Sequence, residues 1–176
     1  MREFPKVPKW TLGIASVFQI VLALLLCFGI LFSLGMVETQ GILGVVGTTS
    51  LGSSLFIMLS QPNSNAARPK RMVGSYLVGI LVGAVFYYIS IELIMVQQWL
   101  GYQYVYMFTG GFALAVTMLI MVFADLGHPP AVGLALGVVL DPWNWLTLLI
   151  ILICIIMLVA VRYFLKPWLR TLRFRS

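Results

Sequence analysis

The only histidine in this chain of 176 residues sits in the run Gly127-His128-Pro129-Pro130. Two prolines cannot stand inside a continuous helix, but they suit its first turn, where their missing N–H groups are no loss. A helix is therefore expected to begin here, with free N–H groups and the positive end of its dipole beside the imidazole. An imidazole titrates near neutral pH and can hold a charge or pass a proton. It can equally act as a cap that ties the break to a neighbouring carbonyl. Spacing alone leaves both readings open.

A second group is Thr48-Thr49-Ser50-Leu51-Gly52-Ser53-Ser54, with five hydroxyls and a glycine inside an apolar stretch. Hydroxyls in a helix can bond back to the preceding turn, which would make this a tightly packed helix and nothing more. The functional reading is a second helix break, with Ser50 or Ser53 as N-cap. Backbone that leaves helical form at membrane depth must line a cavity or be buried in protein. Two helix N-termini converging there would make an anion site, in which N–H groups and hydroxyls replace the ion's water. The candidate substrate-binding residues are therefore Thr48, Thr49, Ser50, Gly52, Ser53, Ser54, Gly127, His128, Pro129 and Pro130.

Other reactive side chains assemble into nothing recognisable. Cys27 and Cys154 lie in separate apolar runs and read as buried thiols, so no metal is expected, and no cofactor. Asp125 either caps the break or orients the imidazole three residues on. Asp141, before Pro142, reads as the N-cap of the last span. These two acids flank a short segment and would lie ~24 Å apart if it is helical, too far to cooperate. Ser53 with His128 matches no known catalytic motif, and an enzyme is not expected. Tyr87 and Tyr88 fall mid-span, where one hydroxyl could face a pore.

The elements that must position these groups are membrane helices. Apolar residues make up 61% and charged residues 9%, too few charges to cover a soluble domain of this size. All eleven Lys and Arg fall in three clusters: Arg2, Lys6 and Lys9; Arg68, Lys70 and Arg71; Arg162, Lys166, Arg170, Arg173 and Arg175. They flank apolar runs and form no solvated face, which excludes a nucleic-acid surface despite the net charge of +6. Spans are expected over 11–36, 42–59, 72–97, 105–124 and 144–165, each near the ~20 residues a bilayer requires. The first is read as a retained span, since the residues before it are too few for a transit peptide and the run is too long for a signal sequence. Residues 98–103 read as a short loop with Tyr102, Tyr104 and Tyr106 at an interfacial belt. Ser75, Gly79 and Gly83, and likewise Gly133 and Gly137, are small residues at helical spacing, which let helices approach closely.

Parity decides the remaining segment, 126–140. Basic clusters should share one side, the cytoplasm, which requires this short stretch to cross fully. Its length falls below the hydrocarbon thickness, so it should be sheltered by protein. The fold class is an all-α polytopic transmembrane bundle, one domain over 1–176, with six membrane segments of which two are short or broken. Entry from opposite sides suits a 3+3 inverted repeat, and Leu51-Gly52-Ser53 recurs as Leu126-Gly127-His128. The basic tail 166–175, interleaved with Trp168, Leu169, Leu172 and Phe174, reads as a helix extension on anionic headgroups.

His128-Pro129-Pro130-Ala131 before a short apolar helix resembles the signature of the HPP family of small bacterial and plastid membrane proteins. The stretch from Thr48 through Pro62 to Arg68-Pro69-Lys70-Arg71-Met72-Val73-Gly74 is similar to that family as well. Departures are Gly74-Ser75-Tyr76 where the family often has Gly-Gly-His, Arg68 for its usual Gln, and Val132-Gly133 after the signature. The resemblance implies a helical membrane protein, and the association of some members with nitrite transport implies a small-anion transporter or channel. A bacterial inner membrane with both termini cytoplasmic is the expected setting. The expected partners are the lipid bilayer, a small anion, and further copies of the chain. The alternative is a membrane assembly or accessory subunit without transport.

Overall fold

The structure is a computed structural model that describes residues 17–19, 21, 22, 25, 26, 28, 29, 32, 41–96, 101–141 and 145–165. Every regular element among them is a helix. The described residues between 17 and 32 are helical and form α1. They are followed by α2 (Ile42–Ser60), α3 (Pro69–Val96), α4 (Tyr102–Phe123), α5 (Pro130–Leu140) and α6 (Trp145–Leu165). Helices α2, α3, α4 and α6 are each long and apolar enough to cross a membrane. Large apolar side chains such as Phe108, Phe112, Phe123 and Ile156 stand on the outside, as lipid permits. The chain is a helical membrane bundle. Expectations for Cys27, the first basic cluster, residues 98–100 and the tail 166–175 lie outside the described residues.

Helix α5 is the centre. It has only 11 residues, ~16 Å of rise against a hydrocarbon core of ~30 Å. Helices α2, α3 and α4 pack around it, and Ala131, Leu134, Ala135 and Val138 are fully buried. Small residues make this enclosure possible. A Cβ at Gly79 would come within 2.5 Å of the Ala131 carbonyl oxygen, and one at Gly83 within 2.7 Å of that of Ala135. On the other flank Gly137 meets Val46 of α2, and Gly133 faces Ser50. Both small-residue series thus serve the packing of this one helix.

The short helix runs antiparallel to α2. It begins where His128 reaches the Ala66 carbonyl, in the α2–α3 connection. It ends where the Asp141 carboxylate accepts from the Leu43 N–H at 2.8 Å, in the first turn of α2. Asp141 therefore caps α2 from 98 residues away, a role not visible from its position before Pro142. At the opposite end, Arg162 of α6 donates to the Pro62 carbonyl at 2.9 Å. Arg162 thus lies on the same side as the second basic cluster, and we call this the basic end.

Three local expectations change. Thr48–Ser54 do not break α2, which runs unbroken from Ile42 to Ser60. The short segment starts at Pro130 rather than 126, because α4 ends in a Schellman turn that uses the intervening residues. There the Leu126 N–H reaches the Met121 carbonyl at 2.9 Å and the Asp125 N–H that of Val122 at 3.3 Å, with Asp125 left-handed at φ 53°. Tyr102, within the expected loop 98–103, opens α4 instead, so Tyr102, Tyr104 and Tyr106 all lie on its first turns.

Candidate functional site

Four of the five hydroxyls between Thr48 and Ser54 have a backbone carbonyl within reach one turn back. Thr48 donates to the Gly44 carbonyl at 2.7 Å, Thr49 to that of Val46 at 2.9 Å and Ser53 to that of Thr49 at 2.9 Å, while Ser54 Oγ stands 3.0 Å from that of Ser50. Hydroxyls that bond back in this way need no water at membrane depth and do not drive the helix to open.

Opposite this face, the segment from Asp125 to Pro129 is pinned to α3. Arg71 pairs with Asp125, and the Ser75 hydroxyl donates to the Leu126 carbonyl. Asp125 therefore neither orients the imidazole nor touches it. The loop delivers His128 into the bundle, where the residue is 1% exposed. Its Nδ1 lies 2.9 Å from the Ala66 carbonyl oxygen, and a carbonyl only accepts, so Nδ1 carries the proton. In the neutral ring Nε2 then accepts from the Ser54 hydroxyl, 2.7 Å away. Ser54 Oγ in turn accepts from the Tyr76 hydroxyl at 2.8 Å. The result is a one-way chain, Tyr76 to Ser54 to His128 to Ala66, that joins α2, α3, the α2–α3 connection and the start of α5 without any charge.

A serine on a histidine that is held by a third group has the outline of a nucleophile and base. Here Ser54 and Tyr76 are both 0% exposed, and Ser54 Oγ is shared with the carbonyl of its own helix. The arrangement works as a tie between helices.

The exposed side of the same region is different. Thr49, Gly52 and Ser53 of α2, with Phe56 and Ile57, face Pro129 and Pro130 across an open groove. A Cβ added at Gly52 would meet nothing within 4 Å. The structure therefore divides the ten candidate residues. Thr49, Gly52, Ser53, Pro129 and Pro130 line the groove; Ser54 and His128 form the buried tie behind it. Ser50 is buried against Gly133, Thr48 is half-buried one turn away, and Gly127 is exposed in the loop.

The N-terminus of α5 carries less free hydrogen-bonding capacity than the prolines suggest. Pro129 and Pro130 have no N–H. The next two N–H groups, of Ala131 and Val132, already bond the carbonyls of His128 and Pro129 at 3.1 and 3.0 Å. With α2 unbroken, the groove holds one helix start instead of two. What it presents is the positive dipole end of α5 and the oxygens of Thr49 and Ser53.

Tyr76 and Ala66 were not legible as partners. Tyr76 stands where the resemblance leads one to expect histidine, and its hydroxyl supplies a hydrogen-bonding group there. A tyrosine in a polar-flanked span, one turn beyond Met72, is the only signal that could have singled it out.

A family model described as HPP, transmembrane region, matches residues 8–171. No curated protein and no solved structure matches the chain.

Proposed function

The chain belongs to the HPP transmembrane family, and from that premise we propose that it moves a small inorganic anion across the membrane, nitrite being the first to test, without a catalytic step. The observation that supports this reading is the groove at the start of α5. A helix of ~16 Å cannot span the apolar layer by itself, so its positive end lies below the bundle's basic end. Ser54, at the level of His128, is six residues from the end of α2, ~9 Å of rise. There the dipole of α5 favours negative charge, and the Thr49 and Ser53 hydroxyls can turn from their own carbonyls toward an anion. The buried tie through Ser54 and His128 holds Pro129 and Pro130 against this face.

Purified protein in liposomes tests the reading, with uptake of nitrite, nitrate, formate and chloride followed with and without a pH gradient. Selective nitrite flux that falls in Ser53→Leu supports it. Absence of flux for all four, with folding and orientation verified, refutes it for these ions. His128→Ala distinguishes roles for the imidazole. A changed pH profile between about pH 5 and 8 assigns it a proton; an unchanged profile with reduced protein stability leaves it as the tie.

A second reading has its own observation. Every groove hydroxyl already has an acceptor in α2, which suits a packing surface in an assembly subunit that transports nothing.

A further inference from the structure

Arg162 closes the last turn of α6 and is 8% exposed. Its Nη2 donates to the Pro62 carbonyl, while Nε is buried with no hydrogen-bond partner. The acids among the described residues are Glu92, Asp125 and Asp141, and none pairs with it. Asp125 is held by Arg71, Asp141 caps α2 at the far end, and Glu92 lies in the last turns of α3, remote from the basic end. The neighbour that does act on Arg162 is a second cation, Arg68, close enough for the two charges to repel. A guanidinium withdrawn from water, with a like charge beside it and no carboxylate, is an unfavourable arrangement that an anion would reverse.

A second feature lies on the same helix. An apolar cleft of about 150 Å³ runs between α1 and α6, lined by Leu26, Gly29, Cys154, Leu158 and Val161 among others. Val161 precedes Arg162, and Leu158 lies one turn below it, so the cleft leads from mid-bundle toward the guanidinium. An apolar cleft beside a cation that has no acidic partner among the described residues, at the level of the helix ends, suits the polarity of a phospholipid. Guanidinium groups recognise phosphate oxygens through paired, charge-assisted hydrogen bonds.

We propose that Arg162 and Arg68 bind the phosphate of an anionic phospholipid whose acyl chain occupies the cleft between α1 and α6. This site is separate from the α2–α5 groove and lies at the basic end of the bundle, among the residues that flank the membrane.

The test is the thermal stability of delipidated protein in a neutral detergent, read by tryptophan fluorescence. The additions are phosphatidylglycerol, phosphatidylcholine or inorganic phosphate. Phosphatidylglycerol should raise the midpoint through preferential binding to the folded state, with no comparable rise from the other two. Arg68→Gln should lose about half of that rise or more. Its side chain is exposed, so the folded state should survive the change. Arg162→Lys keeps a charge and should retain part of the rise, whereas Arg162→Gln should abolish it. Should Arg162→Gln fail to fold, Arg68→Gln decides alone. An equal rise in wild type and Arg68→Gln overturns the proposal. An equal rise with phosphatidylcholine shows that the cleft binds chains without the arginines, and also overturns it. A full rise with inorganic phosphate assigns the pair to a free anion and overturns the lipid assignment.

Discussion

Gly79→Ala tests whether the close approach of α3 to α5 holds the fold together. The added Cβ would stand 2.5 Å from the Ala131 carbonyl oxygen, and ordinary van der Waals contact begins at 3.4 Å, so the helices must separate by about 0.9 Å. The obstacle is backbone on both sides, and no side chain can rotate away. Overpacking of this kind costs typically 1–3 kcal/mol. Alanine recovers up to about 1 kcal/mol of helix propensity over glycine. A net loss of about 1–2 kcal/mol is expected, which lowers the midpoint by a few degrees at ~2–4 °C per kcal/mol for a chain of this size. The assay is thermal unfolding of purified protein in detergent, with Gly111→Ala as the reference. That glycine is also helical, and a Cβ there meets nothing within 4 Å. Gly83→Ala should cost a similar amount alone. It should cost less on top of Gly79→Ala, because the first separation already relieves the second contact and neighbouring sites do not add. Gly79→Ala as stable as Gly111→Ala would refute the argument.

Other expectations follow from single contacts. His128→Ala removes the bonds to Ser54 and Ala66 and leaves a buried void, which should lower stability by about 2–4 kcal/mol, measured as the same unfolding midpoint. Tyr76→Phe deletes only the donor at the head of the chain and leaves Ser54 with its other partners, so the loss should be nearer 1 kcal/mol. Thr117 carries a fully buried hydroxyl with no partner; Thr117→Val should be neutral or stabilising by up to about 1 kcal/mol, and a clear loss would reveal a partner for that oxygen. Asp125→Gly relieves a left-handed residue but removes the exposed ion pair with Arg71. A surface pair contributes only about 0–1 kcal/mol, so the midpoint should stay level or rise.

The bundle was legible because lipid imposes simple rules. Span positions followed from runs of apolar residues, whereas the expectation that the short segment crosses fully rests on charge placement alone. Arg162 beside Pro62 and Asp141 beside Leu43 show only that α5 and α6 are tied to opposite ends of α2. The α2 break was misjudged for a physical reason. A row of serines and threonines reads the same whether the hydroxyls cap a broken helix or bond back within a whole one, and only the backbone of α2 separates the two. The prolines told where α5 starts, but not that Ala131 and Val132 would spend their N–H groups on the preceding turn. Partners such as Tyr76 and Ala66 depend on long-range packing, which a local pattern does not encode.

The expected 3+3 repeat makes a demand on which helices touch. If α1, α2 and α3 exchange with α4, α5 and α6, then α3 against α5 corresponds to α2 against α6, and α3 against α4 corresponds to α1 against α6. The first three pairs pack directly, and described residues of α1 and α6 line one apolar cleft. The halves differ where function is proposed. Helix α2 has 19 residues and its counterpart α5 has 11, and the missing two turns are replaced by the loop that carries His128. That loop is fastened by Arg71, Ser75, Ser54 and Ala66, so the shortening leaves a fixed groove and not a slack one. A transport role then predicts that lengthening α5 at its start destroys flux while the bundle stays folded, whereas an assembly role predicts that folding and partner binding fail together.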